Sequence, residues 1–155
     1  MMRIAIIGAN GSAGKLITQE AVSRRHEVIA VTRSENETEA PVSLRRDVFE
    51  IERGDIAGFD AMVDALTPSA DAGEDFLERA ASHLIDLVSG LPTRLIVLDS
   101  GDGKVPAAVE GNHVAKWTYV SPEVTSAELA VAVIDELERG PLTAHIRQRV
   151  VVGEK

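Results

Sequence analysis

The chain contains no cysteine, which excludes disulfides, thiolate metal sites and cysteine nucleophiles. No apolar run approaches the roughly 18 residues of a membrane-spanning helix, and residues 1–8 lack the anatomy of a signal peptide. The expectation is a cytoplasmic protein with no membrane contact. Positive charge is scarce: 16 Lys and Arg stand against 25 Asp and Glu, for a net charge of −9. Aromatic residues make up only 3% and nowhere interleave with a basic stripe, so nucleic acid and anionic membranes are not expected partners. Acidic residues gather within 35–39, 71–75 and 123–138, where they read as solvated surface. No group of His, Asp and Glu has metal-ligand spacing, so no metal is expected.

What remains is ordinary for a globular protein: 155 residues, 45% apolar, enough for one domain with a real core. The densest signal lies between Ile4 and Thr32. An apolar run, Ile4-Ala5-Ile6-Ile7, stops at Gly8, and glycines recur at Gly11 and Gly14. An amphipathic stretch follows, then a second apolar run from Val28 to Thr32. Strand, glycine turn, helix, strand is the context that gives a G-x-x-G-x-x-G meaning. Glycine lets the backbone turn tightly and approach a pyrophosphate, and a helix starting near Ser12 aims free N–H groups and its positive dipole end at the anion.

Apolar runs recur along the chain with helical segments between them, the pattern of an α/β doubly wound parallel sheet. Strands are predicted at 3–7, 27–32, 42–46, 61–66, 94–99, 117–120 and 147–152. Helices are predicted over 13–25, 73–89 and 126–139, the second ending at Gly90 and Pro92. The short polar connection from Arg33 to Pro41 leaves room for no more than a single helical turn, and Ile51 to Phe59 for one short helix.

The segment GANGSAGKLITQEAVSRRHEVIAVTR resembles the opening of the NmrA-like, atypical short-chain dehydrogenase/reductase group, which includes NADH-flavin reductase-like proteins. The resemblance continues in order through RRDVFEI, FDAMVDALT, ASHLIDLV, RLIVLDSG, WTYVSP, ELAVAVIDELE and IRQRVVV. It implies a Rossmann-type sheet of order 3-2-1-4-5-6 with a last C-terminal strand, a cofactor lying across the carboxyl ends of the strands. Carried over residue by residue, it implies that Gly8, Asn10, Gly11, Ser12 and Ala13 line the pyrophosphate. Asp47 and Val48 would meet the adenine, and Leu66, Thr67 and Pro68 would lie near the nicotinamide ribose. Ser100 and Gly101 would be delivered toward the nicotinamide, with Ser121-Pro122 closing strand six.

The end of strand two, Thr32-Arg33-Ser34, lacks the Asp or Glu that accepts from both ribose hydroxyls in an NAD site. Arg33 can pair bidentately with a 2′-phosphate and Ser34 can add a hydroxyl, which favours NADP(H) over NAD(H). Arg45 or Arg46 could do the pairing instead, leaving Arg33 in solvent. The Tyr-x-x-x-Lys pair of typical short-chain dehydrogenases is absent, because the single tyrosine, Tyr119, is followed at position 123 by Glu. Tyr119 reads as core, His26 and His83 as structural, and Ser100 as either a strand-end turn residue or a substrate contact. His113 and Lys116, three apart, could share one helical turn facing a cleft or a solvated face.

Relatives also carry longer segments after strands five and six, so the substrate side looks cut down. Three functions are compatible with these residues. The first is NADPH-dependent hydride transfer to a small flat acceptor, with FMN, FAD or a quinone as substrate rather than bound cofactor. The second is a non-catalytic NADP(H)-binding sensor, and the third is a shortened protein that keeps its glycine loop for folding alone. The apolar circumference of the 126–139 helix makes a homodimer a further expectation.

Overall fold

The computed structural model describes residues 1–66, 75–99, 114–119, 126–138 and 149–152. Strand β1 (Arg3–Ile7) lies inside a seven-stranded sheet, flanked by β2 (Glu27–Thr32) and β4 (Ala61–Asp64). The full order is β3-β2-β1-β4-β5-β6-β7, where β3 is Val42–Arg45, β5 Arg94–Asp99, β6 Val114–Tyr119 and β7 Arg149–Val152. Every neighbouring pair is parallel. The expected Rossmann-type topology is therefore present, with the last strand continuing the same sheet.

Central strands of such a sheet are covered on both faces, which is why β1 reads as an unbroken apolar run rather than an alternating one. Ile4 and Ile6 pack on one side with Ile17 and Ala21 of α1 (Ser12–Ser23) and Leu129, Val133 and Ile134 of α4 (Ser126–Glu138). Ala5 and Ile7 pack on the other with Phe76, Ala80 and Leu84 of α3 (Phe76–Val88), and with Ile56 of the short α2 (Arg53–Ile56). The apolar residues of α4 are consequently used inside the fold. Leu129, Val133, Ile134 and Leu137 are buried, and Val131 is its one large exposed apolar residue among those described. Little of the surface behind the dimer expectation is left uncovered.

Two polar devices fix α4 in place. Arg24, at the end of α1, bonds Asp135 at 2.8 Å and Glu138 at 2.7 Å, and also Glu20 in its own helix. These partners hold its guanidinium firmly in the charged form. Arg94, at the start of β5, donates to the carbonyls of Glu136 and Leu137 and so caps the C-terminal end of α4. The turn out of α1 closes by paired bonds, Arg25 N–H to Val22 O and His26 N–H to Ala21 O, with Arg25 in the left-handed region at φ 65°.

The observed elements differ from expectation mainly at their ends. β6 begins at Val114, three residues before the expected start. β4 stops at Asp64, because the Asp64 carboxylate takes the Leu66 N–H. A 3-10 turn, Val48–Glu50, was not anticipated; it is closed by a capping box in which Asp47 accepts from Phe49 N–H and Glu50 accepts from Asp47 N–H.

Candidate cofactor-binding site

The strand order reverses between β1 and β4, and that switch point carries the glycine turn. Gly8 follows β1 with φ +78°, a conformation that side-chain-bearing residues resist. A Cβ there would lie 3.0 Å from both the Ala65 carbonyl and the Leu66 Cα, so the turn sits directly against the end of β4. Gly11 N–H closes the turn on Gly8 O at 3.1 Å. At Gly14 a Cβ would stand 2.2 Å from Gly8 O and 2.8 Å from Ala9 Cα, so α1 is seated against the turn with no space between.

Gly11 is the N-cap of α1 and offers no side-chain cap to the helix. The first N–H groups of the helix therefore lack a local acceptor, and the positive end of the dipole is uncovered. A tight glycine turn beneath an uncapped helix start fits a diphosphate, because it leaves backbone N–H groups free to donate to an anion.

A cleft of about 240 Å³ opens over this turn, lined by Gly8, Asn10, Gly11, Thr32, Arg33, Ser34, Leu66 and Phe76. Six of the residues singled out from sequence thus meet in one place: Gly8, Asn10, Gly11, Arg33, Ser34 and Leu66. Ser12 is exposed and Ala13 half-buried on the first turn of α1, at the rim. Asp47 is engaged in its capping box and Val48 is buried in the core, so neither is among the residues lining the cleft. Thr67, Pro68, Ser100, Gly101, His113, Ser121 and Pro122 lie outside the described residues.

Asn10 does more than line the cleft. Its side-chain amide donates to Glu35 O at 2.8 Å and to Ser34 Oγ at 3.3 Å, while its oxygen accepts from Glu37 N–H at 2.9 Å. The loop after β2 is thereby fastened to the glycine turn. Because Ser34 Oγ accepts from Asn10, the hydroxyl proton is directed elsewhere and remains a donor. Thr32 is buried, with its hydroxyl donating to Ser34 O at 2.6 Å, so it braces the loop from below.

Arg33 is largely exposed, and its guanidinium stands 3.9 Å from the Asp47 carboxylate. Arg45 donates to the Arg33 carbonyl at 3.2 Å, and Arg46 lies 4.0 Å from Asp55. Of the three arginines considered from sequence, Arg33 is the one that lines the cleft.

Asp64 lies beside the cleft, bonded to its wall residue Leu66, and sequence reasoning passed over it. It is 4% exposed, and its carboxylate accepts from Leu66 N–H at 3.2 Å. Burial pushes the carboxyl up to about 7, opposed only in part by that amide. The available signal was a carboxylate inside an otherwise apolar strand, Ala61-Met62-Val63-Asp64-Ala65. Phe76 was read as part of a buried helical stripe, and it also closes one side of the cleft.

His26 and His83, read as structural from sequence, both make contacts within the fold. His26 accepts from Met2 N–H through Nδ1 at 3.1 Å and meets Glu138 through Nε2 at 2.8 Å. His83 contacts the Ile51 carbonyl at 3.0 Å. Lys116 belongs to strand β6 rather than to a helical turn. Among the described residues no helix is long and apolar enough to cross a membrane.

No family profile matches the chain. Over 101 residues it is 40% identical to the YwnB protein of Bacillus subtilis (strain 168), itself of uncharacterised activity. That match covers 63% of this chain and 46% of YwnB, so the chain spans about half the length of the curated relative it matches. Among solved structures, SP1627 of Streptococcus pneumoniae, provisionally described as an NADH-flavin reductase, superposes with a TM-score of 0.83 at 23% identity. That superposition covers 97% of this chain and 98% of SP1627. The Lmo0794 protein of Listeria monocytogenes gives 0.81 at 25% identity, covering 99% and 100%. A Bacillus halodurans protein provisionally described as an NAD-dependent epimerase/dehydratase gives 0.77 at 18%, covering 97% and 93%. These neighbours share the fold, and the descriptions of SP1627 and the Bacillus halodurans protein are of the kind that the sequence resemblance implies.

Proposed function

We propose that this protein is an NAD(P)H-binding oxidoreductase of the NmrA-like, atypical short-chain dehydrogenase/reductase type. In this reading it prefers NADP(H) and delivers hydride to a flavin, quinone or similar flat acceptor. The observation that carries the proposal is the uncapped start of α1 seated on the Gly8–Gly14 turn at the switch point, with Arg33 and Ser34 at the end of β2 lining the same cleft. The names of two structural neighbours, NADH-flavin reductase and NAD-dependent epimerase/dehydratase, support the class of cofactor.

The residues divide the work of binding. The glycine turn and the first N–H groups of α1 hold the diphosphate. Asn10 keeps the loop after β2 against the turn, and Arg33 and Ser34, which line the same cleft, would take the 2′-phosphate. The absence of a carboxylate at Thr32 removes the repulsion that would reject a 2′-phosphate. When bound, a reduced nicotinamide supplies hydride, and the acceptor needs stacking geometry more than an acid from the protein.

Titration with NADPH and NADH tests the assignment. NADPH should bind more tightly, and Arg33→Ala should weaken NADPH by about tenfold, as expected for loss of a charge-assisted pair, while leaving NADH nearly unchanged. Equal affinity for the two cofactors refutes the NADP(H) preference. NADPH oxidation with FMN, FAD or a quinone then tests the chemistry. Saturable binding with no turnover above background would support the non-catalytic sensor instead.

A further inference from the structure

Asp64 occupies an unusual place. It is the last residue of β4, paired in the sheet with Ile7 of β1 and Val97 of β5. Gly8, the first residue of the glycine turn, is one position beyond that pairing. On β4 the pleat puts Asp64 on the same face as Met62, the face covered by α3. Its Oδ1 holds the Leu66 N–H, and Leu66 is a wall of the cleft. The Ala65-Leu66 backbone that follows lies within 3.0 Å of where a Gly8 Cβ would be. A buried carboxyl thus shapes the junction between the cleft wall and the phosphate turn.

We propose that Asp64 is a positioning residue through which the cleft takes up a proton when it binds a dinucleotide. The inference rests on the reading of the cleft as a dinucleotide site. Adjacent strands lie about 4.8 Å apart, so the diphosphate held at Gly8–Gly11 comes within roughly 10 Å of the Asp64 carboxyl. Two negative charges at that range, across a low-dielectric strand end, disfavour a third. The protonated carboxyl can still accept the Leu66 N–H through its carbonyl oxygen, so the wall is kept while the charge is lost.

The surroundings leave Asp64 free to respond. Ile7 and Val97, its pairing partners on β1 and β5, are apolar. The titratable residues of α3 and the one preceding it, Asp75, Glu78, Arg79, His83 and Asp86, line a separate groove with Phe49. There Arg79 pairs with Asp75 and lies over the Phe49 ring, while His83 contacts the Ile51 carbonyl. Among the described residues, only burial and the Leu66 amide act on the Asp64 carboxyl, which titrates near 7 in consequence. A carboxyl raised this far above its ordinary range by burial takes up a proton when a further negative charge approaches.

Calorimetric titration of the full chain with NADPH and with NADH, at pH 7 in phosphate and in Tris, measures that uptake from the difference in heat. A net uptake of a fraction of a proton per site is expected, for both cofactors because both carry the diphosphate. Affinity should be about tenfold higher at pH 6 than at pH 9 for each unit by which the ligand raises the carboxyl. Asp64→Asn should bind with affinity near the wild type at pH 6 and lose the uptake, and Asp64→Ser serves as the second variant. Binding heats that are independent of buffer in the wild type overturn the proposal, as does an undiminished uptake in a folded variant. Binding of neither cofactor would refute the dinucleotide reading, and the coupling with it.

Discussion

Gly14→Ala is the sharpest test of how α1 meets the glycine turn. In an open helix this change removes backbone freedom from the unfolded chain and gains about 1 kcal/mol. At position 14 the new Cβ would stand 2.2 Å from Gly8 O, 2.8 Å from Ala9 Cα and 2.9 Å from Ala9 O, all backbone atoms of the turn itself. No side chain can rotate away. Relief requires α1 to move outward by the better part of an ångström, yet Ile17 and Ala21 on the same helix are fully buried against the sheet and α4. Overpacking of this kind costs about 3 kcal/mol or somewhat more, so after the propensity gain a net loss of about 2–3 kcal/mol is expected. Gly54→Ala provides the control, because nothing lies within 4 Å of its new Cβ in α2. It should gain about 0.5–1 kcal/mol. Urea unfolding of both variants measures the contrast, and NADPH titration of Gly14→Ala should show affinity reduced by about tenfold or more as the helix N–H groups shift. Equal stability for the two variants would refute the close seating of α1. A destabilised Gly14→Ala with unchanged NADPH affinity would remove the turn as the phosphate site.

Two other outcomes follow from residues held in costly states. Arg25→Gly should raise stability by about 0.5–1 kcal/mol in urea unfolding, since a non-glycine residue is held there at φ 65°; a loss would mean that the Arg25 side chain contributes more than its backbone costs. Asp64 makes stability fall as pH rises, because its folded-state carboxyl titrates near 7, above the ordinary 3.8. The penalty is absent below about pH 4, grows between pH 4 and 7, and is complete above 7, on the order of 4 kcal/mol by linkage. Asp64→Asn should flatten that decline relative to wild type, and parallel pH–stability curves for the two proteins would exclude it.

Much of this architecture is legible from local pattern. Ile4-Ala5-Ile6-Ile7 and Val28-Ile29-Ala30-Val31 are apolar on both faces because each strand is sandwiched, and that leaves a continuous run in the sequence. The glycine spacing is equally readable, since Gly8 answers to backbone conformation and Gly14 to close approach. The side-chain wiring of the cleft is not. Asn10 reaches across to Ser34, Glu35 and Glu37, and this link between two loops has no period to detect. Asp64 escaped notice for a related reason: its meaning depends on what β1, β5 and α3 place around it. Asp47 shows the converse, where a resemblance drew attention to a residue whose visible task is to cap a 3-10 turn.

The strand order also has a consequence for how the chain is made. β1 is made before the other strands of this sheet and belongs inside it. β2 can cover one of its sides early, through a local strand–helix–strand unit. Its other side is satisfied only by β4, so Ile4–Ile7 must wait until Ala61–Asp64 has been synthesised. At translation speeds of about 5–20 residues per second, that leaves the most apolar strand of the nascent protein with one open edge for several seconds. The segment that leads into the glycine turn of the finished fold is, during synthesis, a strand edge left waiting for its partner.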